Sequence, residues 1–170
     1  MSTSTVLEQA VVPAGTWNVD PAHSSVEFLV DAMETHMASI RGRFKDFEGT
    51  VVSEGGDVRL EGVLQAGSLS TDNDQRDAHL RSPDFLAAET YPEIRFRSTG
   101  IEPRGGKDLR IAGDLTIRDT TFPVELDGRV VGSGQDQWGN ERVALAAEGG
   151  LEWGPQKVSI TVNASAVKAS

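Results

Sequence analysis

The chain has 170 residues, 16 basic against 26 acidic side chains, a formal charge of −10 and no cysteine. That charge gives phosphate backbones and anionic membrane surfaces no electrostatic pull, so nucleic acid is not an expected partner. The missing thiols exclude disulfides, cysteine nucleophiles, iron–sulfur clusters and cysteine-ligated zinc, while 38% hydrophobic residues and 18 glycines describe a turn-rich globular domain.

Residues 1–14 are small and polar without periodicity, and are expected to form a flexible N-terminal arm ahead of a single domain over 15–170. The opening "MSTSTVLEQAVVPAG" lacks a basic n-region and an adequate apolar run, so no signal peptide is expected. No stretch approaches a transmembrane helix in length, and the expected location is cytoplasmic. From Gly15 the period is two. "SVEFLV" sets Val26, Phe28 and Val30 on one face against Glu27 and Asp31 on the other.

The run "TDNDQRDAHLRS" breaks this alternation. Thr71, Asp72 and Asn73 are candidate N-caps, Asp72 and Asp74 suit the positive end of a helix, and Asp77 and Arg81 stand i,i+4. Ser82-Pro83 is expected to end that helix and to start a second short one, with Phe85 and Leu86 turned inward. A short helical insertion near residues 72–90 therefore interrupts an all-β chain.

Alternation then resumes. "EIRFRS" sets Ile94 and Phe96 against Glu93, Arg95 and Arg97. "DLRIAGDLTIR" sets Leu109, Ile111, Gly113, Leu115 and Ile117 against charged and polar neighbours, and "KVSITVNASAV" repeats the pattern at Val158, Ile160 and Val162. Turn-rich breaks at 53–57, 102–108, 118–123 and 132–140 fall where hairpins need them. About eight or nine half-buried antiparallel strands result, the signature of a β-sandwich or barrel.

Few constellations carry chemistry. His23, His36 and His79 lack the spacing of a local metal site, and a metal-dependent or hydrolytic enzyme would need folding to bring them together beside a carboxylate. "DPAHSS" supplies Asp20, His23, Ser24 and Ser25, the types of a catalytic triad, but one tight turn rarely points such groups at one atom. A local turn fixed by Asp20-Pro21 is the simpler reading. No phosphate-binding loop is present. A closed barrel of about eight strands can hold one small ligand, with Phe28, Phe44, Phe96 and Trp153 as candidates for its lining. The opposite reading is a protein-interaction module whose core is filled by those same side chains.

Five segments in order resemble the YceI-like family of lipid-binding proteins. These are "WNVDPAHSSVEFLV" (17–30), "IRGRFKDFEGTV" (40–51), "DNDQRDAHLRSPDFLAAETYPEIRFRST" (72–99), "GDLTIRDTTFPVELD" (113–127) and "WGN" (138–140). The resemblance covers essentially residues 15–168. It implies an extended antiparallel eight-stranded, lipocalin-like β-barrel that binds amphiphiles such as isoprenoid quinones, polyprenyl precursors or fatty amides, as a carrier and not an enzyme. No cofactor is expected beyond such a bound lipid, and an exposed edge strand would offer a surface for a homodimer. Arg76, His79 and Arg81, on a helix expected at the barrel rim, are candidates to hold a head group, with Phe85 beside them. Two departures stand out. "AAEGGLEWGPQKV" (146–158) is shorter than its family counterpart and lacks an Arg-Asp-Phe, and Arg118-Asp119 stands where relatives more often carry His-Gly.

Overall fold

The computed structural model describes residues 12–31, 39–153 and 156–169, so His36 lies outside the described residues. The elements are β1 (Gly15–Val19), a 3₁₀ turn (Pro21–His23), β2 (Ser25–Asp31), β3 (Ser39–Phe44), β4 (Phe47–Glu54), β5 (Asp57–Gln65), a second 3₁₀ turn (Ala66–Ser68) and β6 (Leu69–Ser70). Helix α1 (Asp74–Arg81) follows, then β7 (Glu93–Gly105), β8 (Asp108–Ile117), β9 (Thr120–Gln135), β10 (Glu141–Trp153) and β11 (Gln156–Lys168).

The sheet runs β1-β4-β5-β7-β8-β9-β10-β11 and closes on itself through β1–β11, where Trp17 faces Lys168 and Val19 faces Ala166. Every adjacent pair is antiparallel. Beyond the 3₁₀ turn, β2 continues the path of β1 along β11, and β3 pairs with β2 before running on into β4. The result is a closed eight-stranded antiparallel barrel, two of whose strands are bent.

The period-two runs face inward as expected. Along β8, Leu109, Ile111, Leu115 and Ile117 are all buried, while Asp108, Arg110, Asp114 and Thr116 are not. Two buried clusters form, one around Trp17, Val51, Val130 and Val143 and another around Ile94, Leu115, Ile117 and Val124. The chain segment expected as a free arm is anchored from Val12 onward. Val12 is 1% exposed, its carbonyl accepts from Ser53 Oγ at 2.9 Å, and the Pro13 carbonyl accepts from Trp17 Nε1 at 2.9 Å. An apolar side chain and two acceptors thus turn these residues into a plug.

Helix α1 starts at Asn73, whose Oδ1 accepts from the Arg76 amide at 3.0 Å. It stops at Ser82, whose hydroxyl donates to the His79 carbonyl at 2.6 Å. The second short helix expected after Pro83 is instead a series of turns. Its physical cause lies at Ser82, whose carbonyl accepts from the Phe85 and Ala87 amides, at i+3 and i+5, at 3.0 and 2.9 Å, and not from the Leu86 amide that a helix would require. Ala87 completes the bend at φ 47°. The Leu86 amide then donates to the Leu80 carbonyl at 3.0 Å, folding the excursion back on α1.

Asp77 does not pair with Arg81, the partner its spacing suggests. Buried at 5% exposure, its Oδ1 accepts from the amide and the hydroxyl of Thr71, at 2.8 and 2.6 Å. Asp77→Ala leaves the buried Thr71 amide without an acceptor. Such an orphan costs about 1–3 kcal/mol, and urea denaturation should show a loss of that size, with Asp77→Asn losing less. A loss indistinguishable from zero would mean that Asp77 does not fasten the excursion.

Candidate functional site

The barrel is hollow. Several inward side chains, Leu145, Ile160 and Val162 among them, are only half-buried because they face an empty interior. The cavity measures about 600 Å³ and runs from Val12 at one pole to Leu80, Phe85 and Leu86 at the other. Its middle is walled by Ile111, Leu126, Leu145, Ile160 and Val162. A cavity of ~150 Å³ accommodates a benzene, so this interior has room for roughly 24 tail carbons.

Interior glycines let neighbouring side chains lie along the wall instead of across the space. A methyl group built on Gly42 would fall 2.3 Å from Phe28 Cζ, and one on Gly113 would fall 2.5 Å from Phe96 Cζ. Each ring therefore occupies a notch that only a residue without a side chain provides. Phe28 and Phe44 meet at 5.6 Å between ring centroids, and Phe122 and Trp153 at 6.3 Å.

Of the residues nominated from sequence, Phe28, Phe44, Phe85, Phe96 and Trp153 line the cavity. Arg76, His79 and Arg81 do not. Arg76 donates from Nε to Thr71 Oγ1 at 2.8 Å and from Nη2 to the Thr71 carbonyl at 3.0 Å, and Arg81 donates to the Leu69 carbonyl at 3.3 Å. The His79 ring meets Phe85 edge-on at 4.9 Å and lies 3.7 Å from Asp84. These three side chains fasten α1 to its surroundings. Arg118, in the left-handed region at φ 59°, adds a strut: Nη1 donates to the Phe85 carbonyl at 3.2 Å and the guanidinium lies over the Tyr91 ring.

Asp20 and His23 do meet, Oδ2 to Nδ1 at 2.7 Å, as in an acid–base dyad. The setting is on the outer wall, however, and the neighbouring hydroxyl is engaged elsewhere. Ser24 Oγ accepts from the Ser165 amide at 2.9 Å and donates to the Ser165 carbonyl at 3.3 Å. Arg142 shares the Asp20 carboxylate at 3.1 Å and grips Asp136 Oδ2 at 2.6 Å, while Asp136 Oδ1 accepts from the Trp138 and Asn140 amides at 2.9 Å each. The "WGN" segment is thereby tied to the first 3₁₀ turn across 122 positions of sequence, which spacing could not reveal. Among the described residues no three of His, Asp and Glu gather at metal-binding distance.

The Arg142 guanidinium holds the Asp136 carboxyl down at about 2, and His23 with Arg142 lowers that of Asp20. A carboxyl depressed in the folded state adds stability that is present above its ordinary value near 3.8 and lost as pH falls toward the folded value. Wild-type stability should therefore decline between about pH 4 and pH 2. Arg142→Gln should raise the Asp136 titration midpoint toward its ordinary value in an NMR titration and flatten that decline. An unmoved midpoint would show that Arg142 is not its cause.

The whole arrangement has known counterparts. A family model for the YceI-like domain matches residues 17–168. The protein YceI of Escherichia coli O17:K52:H18 is 40% identical over 133 residues, covering 76% of this chain and 68% of that protein. Among solved structures, Burkholderia cenocepacia BcnA superposes with a TM-score of 0.74 at 20% identity, over 86% of this chain and 98% of its own. A polyisoprenoid binding domain from Saccharophagus degradans superposes with a TM-score of 0.64 at 12% identity, over 90% and 98%. At such identities the superpositions speak for the barrel alone, whereas the family model and the 40% relative speak for descent. The chain belongs to the YceI-like family.

Proposed function

We propose that this protein is a non-catalytic binder of an elongated amphiphilic lipid, an isoprenoid or a similar single-chain molecule, whose tail occupies the barrel. The observation that carries this reading is the apolar, hollow interior of about 600 Å³. Each methylene moved from water into such a space contributes about 0.8 kcal/mol, so a tail of several isoprene units needs little polar recognition. A module acting only through its outer surface would gain nothing from notches that keep Phe28 and Phe96 against the wall, and a filled core would pack more tightly. A carrier that delivers its lipid elsewhere fits the same geometry.

The test is native mass spectrometry of protein purified without detergent, followed by organic extraction, with prenyl alcohols added back to stripped protein. Co-purified lipid, or a melting temperature that rises with prenyl-chain length, supports the reading. Stripped protein that takes up no prenyl or fatty ligand, and whose melting temperature none of them moves, would overturn it.

A further inference from the structure

The barrel wall has a lengthwise opening. Strands β1 and β4 pair as far as Asn18 opposite Thr50, and β2 and β3 resume at Glu27 opposite Arg43. Between those points the ladder is interrupted: residues 20–25 have no register partner among residues 45–48. At ~3.3 Å per residue the interruption is roughly 13 Å long on its shorter edge.

Each edge is held by groups on its own far side. On one, the Asp20 amide donates to the Ser165 carbonyl at 2.8 Å and Ser24 Oγ bridges the Ser165 backbone, with Arg142 and His23 on the Asp20 carboxylate. On the other, the Lys45 amide donates to the Ser68 carbonyl at 3.1 Å, the Asp46 amide to Ser68 Oγ at 3.0 Å, and the Asp46 carbonyl accepts from the Gln65 amide at 2.9 Å. These main-chain groups are satisfied on the sides away from the gap, and none of them bridges it. The cavity reaches it: Ser24, Ser25 and Val26 on one edge and Phe47, Glu48 and Gly49 on the other belong to its lining. Near one end the gap narrows, since a methyl group on Gly49 would touch Val19 Cγ2 at 3.0 Å.

Building on the lipid-binding reading, we propose that this seam is the port through which the tail enters and leaves the barrel. The competing route, past the helical excursion, is barred by contacts that must break: Asp77 and Arg76 on Thr71, Arg81 on Leu69, and Arg118 on Phe85. At the seam there is no ladder to break. Apolar Val26 and Phe47 face the tail there, while Ser25 and Glu48 give the rim a polar edge suited to an uncharged hydroxyl or amide head group.

A cysteine-free chain makes the test direct. Ser25→Cys with Glu48→Cys, joined on the folded protein by a bifunctional maleimide, staples the seam. Asp84→Cys with Asp119→Cys does the same between excursion and hairpin, and Glu152→Cys with Lys157→Cys staples a pair already zipped in the β10–β11 ladder. The readout is transfer of N-phenyl-1-naphthylamine, a fluorescent apolar probe, from each protein to phosphatidylcholine vesicles. The seam staple should slow transfer by about tenfold or more with equilibrium uptake retained, and the other two staples should leave the rate unchanged. Unchanged transfer through a stapled seam, or slowing only by the excursion staple, overturns the port while leaving lipid binding intact. Failure of the unmodified protein to take up the probe at all overturns both.

Discussion

Trp17→Ala lowers the unfolding free energy by about 3–5 kcal/mol, the range for deleting a large aromatic ring from a core that cannot collapse around the void. Trp17 is 2% exposed and sits among Val12, Val51, Val143 and Ala166 at the pole where the barrel closes on its own terminal strand. Domains of this kind are stable by about 5–15 kcal/mol, so the change removes a large share of the total. Trp17→Phe keeps most of the ring and loses the bond from Nε1 to the Pro13 carbonyl, a net effect of about 0.5–1.5 kcal/mol beyond the lost volume. Urea unfolding followed by circular dichroism distinguishes the two. A loss below about 1 kcal/mol for alanine would mean that Trp17 does not plug this end.

Ala147→Phe should act on ligand and hardly on fold. Ala147 is half-buried on β10 and faces the cavity, so an added ring enters empty space. A phenyl group takes ~150 Å³, a quarter of the interior, and displaces roughly four to six tail carbons. At about 0.8 kcal/mol per methylene, a tail that fills the wild-type barrel loses about 3–5 kcal/mol, or two to nearly four orders of magnitude in affinity. A short prenyl alcohol should bind as before. Titration of a chain-length series checks this, and an equal loss for every length would indicate distortion of the wall instead of reduced room.

Much of the barrel could be read from the residues because its physics is local. The alternation along "DLRIAGDLTIR" and "KVSITVNASAV" says which side chains face inward without reference to any partner strand. The capped helix was equally legible, since Asn73 and the acidic first turn lie within one short segment. What stayed hidden depends on which of several near partners wins, or on pairs distant in sequence. Ser82-Pro83 carries a plausible helix start, but its carbonyl is taken by the turn that returns Leu86 to Leu80. Asp77 has a suitable arginine four residues on, yet a buried threonine amide claims it. "DPAHSS" reads as a turn whether or not a wall opens beside it; only Ser165, Arg142 and Ser68, far away in sequence, determine that the opening exists. The aromatic residues nominated for a lining were found by burial logic and do face the cavity. The charged residues on α1 were nominated by position at a rim; Arg76 and Arg81 are engaged with Thr71 and Leu69, and His79 lies against Phe85 and Asp84.

The closure of β1 on β11 also dictates how the protein is made. Trp17 has its β11 neighbours Ala166 and Lys168 almost a full chain length away, so the ring cannot be sheltered until the last strand has been synthesised. At ~5–20 residues per second, some 150 residues of translation leave that tryptophan and the raw edge of β1 exposed for roughly 10–30 s. Contacts so distant in sequence also place the domain among the slower folders, on a scale of milliseconds to seconds after release. A chain of this kind is most open to aggregation in the interval before β11 reaches β1.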